Sequence, residues 1–207
     1  MWLELLNKRT LVSAAGKKRV HFFSTHFATK LEGHGAGGYK YENVKRWAKK
    51  IDIFKLDKVI VPVHVLPLHW CLAVVFVQEK RIRYYDSMGG DGGTTLCTLL
   101  RYLGDEMKER HDEDLDRSEW TLVPSEPTDD SDYGASAFAE GPMPRQVGDK
   151  DCGVHMCMAA DYIAAGERLE YDQGDMRYFR MRMLVRILCG TLRSEVSGLW
   201  EGGGRGR

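Results

Sequence analysis

Three short runs rich in β-branched and aromatic residues follow one another in the first half of the chain: Lys58 to Val65, Trp70 to Val77 and Arg81 to Asp86. Residues of these kinds suit a pleated, half-buried surface. The polar triplet Gln78-Glu79-Lys80 makes a tight turn between the last two runs. The pattern predicts a central sheet containing an antiparallel hairpin. Helical spacing lies on either side of it. Trp2 to Lys8 is rich in helix formers, and Tyr39 to Lys50 places Tyr41, Val44 and Trp47 on one face with Lys45, Arg46, Lys49 and Lys50 toward solvent. Leu96 to Lys108, Cys152 to Ala165 and about Asp175 to Leu192 read as helices, with a short strand at Glu119 to Val123. Pro124 to Pro144 is rich in Pro, Ser, Asp and Gly and reads as a mobile loop. The end, Gly202 to Arg207, is too polar and glycine-rich to pack.

A length of 207 residues with 43% hydrophobic content suits one domain with a substantial core. Thirty basic side chains balance thirty acidic ones. No net field therefore draws the molecule to nucleic acid or to a membrane surface, and a partner must be read by a local patch. The longest apolar run, Val59 to Leu68, is broken by Pro62, His64 and Pro67 and falls short of the roughly 20 residues of a membrane helix. Cys71, Cys97, Cys152, Cys157 and Cys189 are an odd set, widely spaced, and favour reduced thiols in a cytosolic or nuclear compartment. Their spacing matches no zinc pattern.

Only Cys152 stands where a helix begins, after the polar turn Asp149-Lys150-Asp151 and before Gly153. Free amides and the positive end of the helix dipole stabilise a thiolate there, the form that attacks a carbonyl. Cys157, inside the same helix among methionines, reads as a small buried hydrophobe. A nucleophile needs a base. His69 opens one strand of the hairpin and Asp86 closes the other, so both come to one end of the sheet. A register symmetric about Glu79 sets them three residues apart, about 10 Å at strand rise, and calls for a bulge or a wider turn. Taken singly, His69 reads equally well as a polar strand-edge residue and Asp86 as a turn former. With Cys152 they compose a nucleophile, a base and an orienting carboxylate, as acyl transfer requires. His64, in mid-strand, and His155, one turn into the helix, are the rival bases. The Cys152 amide and a side-chain amide such as Gln146 could supply oxyanion donors, although spacing alone leaves Gln146 equally a solvated loop residue.

Several segments carry a family resemblance: His69 to Val75 (HWCLAVV), Tyr84 to Gly90 (YYDSMGG) and Gln146 to Gly153 (QVGDKDCG). It extends through His21 to Leu31, Val44 to Ile51, Ile60 to His64 and Tyr178 to Arg182. The chain resembles the catalytic domain of the ubiquitin-like-protein-specific proteases that process SUMO. The resemblance implies an α+β, papain-like fold, with a central mixed sheet flanked by helices and a triad in the order His69, Asp86, Cys152. It implies that Gln146 serves the oxyanion and that Trp70 helps roof a narrow tunnel admitting only a diglycine tail. The expected partners are SUMO and SUMO-conjugated proteins, with no membrane, no sequence-specific nucleic acid and no metal or organic cofactor. The expected location is nuclear or nucleo-cytoplasmic. The family's domain begins with a further helix and strand region carrying a Trp-Leu-Asn/Asp-Asp motif, and Trp2 to Leu6 aligns after it. The expected organisation is thus a catalytic domain over residues 1–195, short of that N-terminal portion, with a mobile loop at about 124–144 and a flexible tail over 196–207.

Overall fold

A computed structural model describes residues 1–12, 19–33, 38–125 and 138–190, the side chains of 10–12 excepted. The tail and most of the expected mobile loop lie outside the described residues. The order along the chain is α1 (Trp2–Val12), β1 (Val20–Phe22), α2 (Phe27–Leu31), β2 (Lys58–Val65), β3 (His69–Phe76), β4 (Arg81–Tyr85), α3 (Gly93–His111), β5 (Thr121–Val123), α4 (Cys152–Ala165) and α5 (Met176–Cys189). The strands form one five-stranded sheet in the order β1-β2-β3-β4-β5. Its centre is antiparallel, while the three-residue edge strands β1 and β5 pair parallel to β2 and β4. This is the mixed, helix-flanked α+β sheet expected from the sequence.

Alternation along β3 divides the core into two layers. Leu72, Val74 and Phe76 face α1, α4 and α5, whereas Cys71, Ala73 and Val75 face α2 and α3. Helix α4 is buried from Val154 to Ala164 except for the half-buried Tyr162, as suits a helix enclosed between a sheet and other helices. Its one interior carboxylate, Asp161, is paired with Arg9 of α1 at 2.6 Å and Arg182 of α5 at 3.6 Å, so the charge that burial would penalise instead ties three helices together.

The helix expected over Tyr39 to Lys50 is not formed. Tyr41–Asn43 makes a single 3-10 turn, and turns continue to residue 50. Val44 and Ala48 are fully buried and Tyr41 and Trp47 half-buried, but tertiary bonds replace the helical ladder. The Tyr41 hydroxyl donates to Glu106 at 2.7 Å, and Arg110 donates to the carbonyl of Ala48 at 2.6 Å. Both partners lie on α3, which therefore dictates the backbone of this segment. Elements β1 and α2 are too short to show a periodicity of their own.

Candidate active site

The hairpin of β3 and β4 sets the geometry. Leu72 faces Tyr85, and the register runs unbroken to Phe76 opposite Arg81. One step beyond Leu72 and Tyr85, Asp86 falls opposite Cys71, two positions from His69 and on the same face. No bulge is present; of the two devices the sequence called for, a bulge or a wider turn, the structure has the wider turn. The loop spans four residues, Val77 to Lys80, so the register is centred between Gln78 and Glu79. Diagonal neighbours of this kind stand about 7–8 Å apart at the backbone, and the side chains close the gap: His69 Nε2 lies 2.7 Å from Asp86 Oδ1.

Asp86 is buried and well supplied with donors. Oδ1 also accepts from the Met88 amide at 2.7 Å, and Oδ2 accepts from the Gly90 amide at 3.0 Å. Burial pushes its carboxyl up, but Met88, His69 and Gly90 together outweigh burial and hold it below the usual carboxylate range. A carboxylate only accepts, so the imidazole proton sits on Nε2 and Nδ1 is left as the basic nitrogen. Gly90 has to be glycine here, since a Cβ would stand 2.6 Å from Asp86 Oδ2.

Cys152 is the first residue of α4, where an N–H has no partner inside the helix. Its thiol donates to the carbonyl of Leu68 at 3.9 Å. Leu68 precedes His69, so the helix start and the imidazole meet at the same end of β3. Trp70 is half-buried beside Gly153, where a Cβ would come 3.8 Å from its ring, and it packs against His64 with centroids 4.6 Å apart. The four remaining thiols are placed differently. Burial pushes Cys71 and Cys157 up to about 12, which keeps both protonated, and Cys97 and Cys189 are exposed on α3 and α5. The rival bases are engaged elsewhere: His64 packs at a tilt against Trp70, and His155 is wholly buried, with burial lowering its pKa.

Gln146 approaches from the segment before α4. Its amide N–H donates to the Ser87 carbonyl at 3.0 Å, its Oε1 accepts from the Ser87 hydroxyl at 2.7 Å, and its Nε2 donates to the Gly148 carbonyl at 2.6 Å. One N–H of the side-chain amide remains uncommitted by these bonds. Ser87, itself buried, thus ties Gln146 to the end of β4; its position directly after Asp86 was the available signal, but only contact across the fold gives it meaning. Exposed apolar side chains border the site: Leu66, Leu68, Met88 and Val147.

Among the described residues, one group of possible metal ligands lies together, His69, Cys71 and Asp86, within 4.8 Å of one another. Two tetrahedral zinc ligands at about 2.0–2.1 Å from the ion stand roughly 3.3 Å apart. The 2.7 Å between imidazole and carboxylate is therefore the length of a hydrogen bond and too short for a shared ion.

A helix-start thiol, a carboxylate-bound imidazole and an amide side chain thus meet at one end of the sheet. Residues 1–188 match the Ulp1 protease family, C-terminal catalytic domain, and the chain belongs to that family. It is 34% identical over 187 residues to Sentrin-specific protease 2 of Mus musculus, covering 90% of this chain and 28% of that protein. It is 32% identical over 192 residues to Ubiquitin-like-specific protease 1A of Arabidopsis thaliana, covering 91% and 35%. The chain thus spans about a third or less of the curated relatives named here. Among solved structures, the SUMO protease Ulp1 with its catalytic cysteine oxidised to a sulfonic acid superposes with a TM-score of 0.69 at 26% identity, over 93% of this chain and 78% of that one. Among the described residues, no helix is long and apolar enough to cross a membrane.

Proposed function

We propose that this chain is a thiol protease and isopeptidase that cleaves after the C-terminal diglycine of SUMO, releasing it from target lysines or maturing its precursor. The observation that carries the reading is the Nε2 bond from His69 to the buried Asp86 carboxylate, at the strand end where the Cys152 thiol rests. With its proton on Nε2, His69 takes the thiol proton at Nδ1, and the Cys152 sulfur attacks the glycine carbonyl. The Cys152 amide and the uncommitted Gln146 N–H receive the developing oxyanion. The imidazolium then protonates the departing amine, leaving a thioester. Water, activated by the same nitrogen, releases the modifier and restores the thiol. Asp86 keeps the ring in its tautomer and stabilises its charge.

Trp70 closes over the helix start, and the exposed apolar side chains of Leu66, Leu68, Met88 and Val147 suit an extended tail without side-chain charge. The similarity to proteins named SUMO or sentrin-specific proteases supports SUMO as the modifier. A nuclear or nucleo-cytoplasmic location accords with that substrate and with five unpaired cysteines.

The test is hydrolysis of a fluorogenic C-terminal amide of SUMO. The wild-type chain is expected to release the fluorophore, and Cys152→Ala to lower the rate by at least about 10³-fold. Binding of SUMO without Cys152-dependent release would leave only a binding module. Preferential capture by an electrophilic probe built on another ubiquitin-like modifier would reassign the substrate.

A further inference from the structure

The two donors that the oxyanion needs arrive on separate pieces of chain. One is Cys152 at the start of α4; the other is Gln146, six residues earlier on a strip with little support. Val147 is 72% exposed, and Gly148, at φ +80, has open space around the position of a Cβ. Ser87 ties Gln146 to the sheet but not to α4. A third side chain, from the turn before α5, spans the gap.

Gln173 Oε1 accepts from the Val147 amide at 2.8 Å, and its Nε2 donates to Asp151 Oδ2 at 2.7 Å. One planar amide thus grips the residue after Gln146 and the residue before Cys152. The clasp is backed on both sides. Arg180 of α5 donates to Asp151 Oδ1 at 2.5 Å and to the Lys150 carbonyl at 2.6 Å, while His155 Nε2, inside α4, stands 3.5 Å from Gln173 Oε1. The turn carrying Gln173 is itself held by a reciprocal cap between Asp172 and Asp175.

We propose that Gln173 is a positioning residue that sets the spacing of the two oxyanion donors by joining Val147 to Asp151. The inference rests on the hydrolytic reading given above. Only a glutamine-like amide serves both ends, because Val147 offers a donor and Asp151 an acceptor. Misplacement of a reacting group by about 1 Å costs on the order of 10²-fold in rate, so losing the clasp acts on turnover and hardly on encounter with the substrate.

Two reactions of the same sulfur separate this role from a merely structural one. Hydrolysis of the SUMO fluorogenic amide passes through an oxyanion. Alkylation by iodoacetamide does not, since the sulfur displaces iodide from a saturated carbon and the thiol proton passes to the imidazole and then to solvent. In Gln173→Ala, kcat is expected to fall about 10- to 100-fold with KM nearly unchanged, while alkylation mapped to Cys152 stays within about 3-fold. The isosteric Gln173→Glu keeps the acceptor for Val147 but sets a carboxylate against Asp151, and is expected to lose at least about 10-fold in kcat by the same misplacement. In a Gln146→Ala background, Gln173→Ala should add less than about 3-fold, as residues acting through one donor are non-additive.

Hydrolysis and alkylation falling together would make Gln173 a support of the helix start and overturn the proposal. So would unchanged hydrolysis, or full additivity with Gln146→Ala. A wild-type chain that is alkylated at Cys152 yet hydrolyses nothing would sink the hydrolytic reading itself, and the inference with it.

Discussion

Asp86 concentrates more of the site's chemistry than its place at a strand end announces. Its two carboxylate oxygens take three N–H donors, from His69, Met88 and Gly90, which is why it stays ionised despite burial. Replacing it by Asn keeps the size but gives the imidazole a partner that both donates and accepts, so the ring loses its enforced tautomer. Asp86→Asn is expected to lower kcat by about 10²- to 10⁴-fold with little change in stability, read from steady-state hydrolysis beside a thermal melt. The motif around Tyr85 and Asp86 could be recognised in the sequence, as could the helix-start cysteine. The 2.7 Å contact could not, because it depends on a four-residue loop whose register differs by half a residue from the symmetric guess about Glu79. Ser87 and Gln173 were equally invisible as partners of the Gln146 segment, since each reaches it from a different element.

Strand β4 shows how an element can be read correctly while its purpose is not. All five of its residues are buried, including Arg81 and Arg83. Their charge is met by Glu140, whose Oε1 accepts from Arg81 at 2.6 Å, Arg83 at 3.2 Å and the Tyr85 hydroxyl at 2.9 Å. Arg81 also lies over the Phe76 ring, 3.7 Å from its centroid. Glu140 thereby fastens to the sheet the chain that leads to Gln146. Glu140→Gln leaves buried guanidinium charge uncompensated and is expected to cost about 3 to 5 kcal/mol, measured by urea denaturation. Because Arg81 also pairs with Glu79, the loss should shrink in an Arg83→Met background. The sequence placed Glu140 in a loop expected to be mobile; burial of a carboxylate there is decided by the arginines opposite.

For the whole molecule, acid stability has two windows with separate causes. Burial lowers the pKa of His21, at the sheet edge, from 6.5 to about 4. The unfolded chain therefore takes up a proton that the folded chain refuses, and stability falls as pH drops from 6.5 toward about 4. Below that the contribution of His21 is flat. Asp86 and Glu140 act later and with the usual carboxylate sign. For Glu140, burial raises the pKa but the bonds from Arg81 and Tyr85 outweigh it, so both groups sit below their ordinary values. Their stabilisation is complete above the unfolded carboxylate range, about pH 4, and is lost as pH falls through the depressed folded values. His21→Gln is expected to reduce the slope between pH 6.5 and 4, the remainder coming from His155, whose pKa burial also lowers, while leaving the steeper loss below it. Denaturation midpoints across that range provide the check.

The linear chain determined the types of most of the longer elements and the two-period switch that makes a sheet between helices, because these depend on local spacing, and together with the family resemblance it singled out Cys152, His69 and Asp86 as the candidate thiol, imidazole and carboxylate. Folding in three dimensions decided the strand register, the failure of Tyr39 to Lys50 to become a helix, and the convergence of Ser87 and Gln173 on the segment holding Gln146. Those outcomes are set by contacts between residues far apart in sequence, whose energies outweigh local propensity and leave no trace in the pattern of neighbours along the chain.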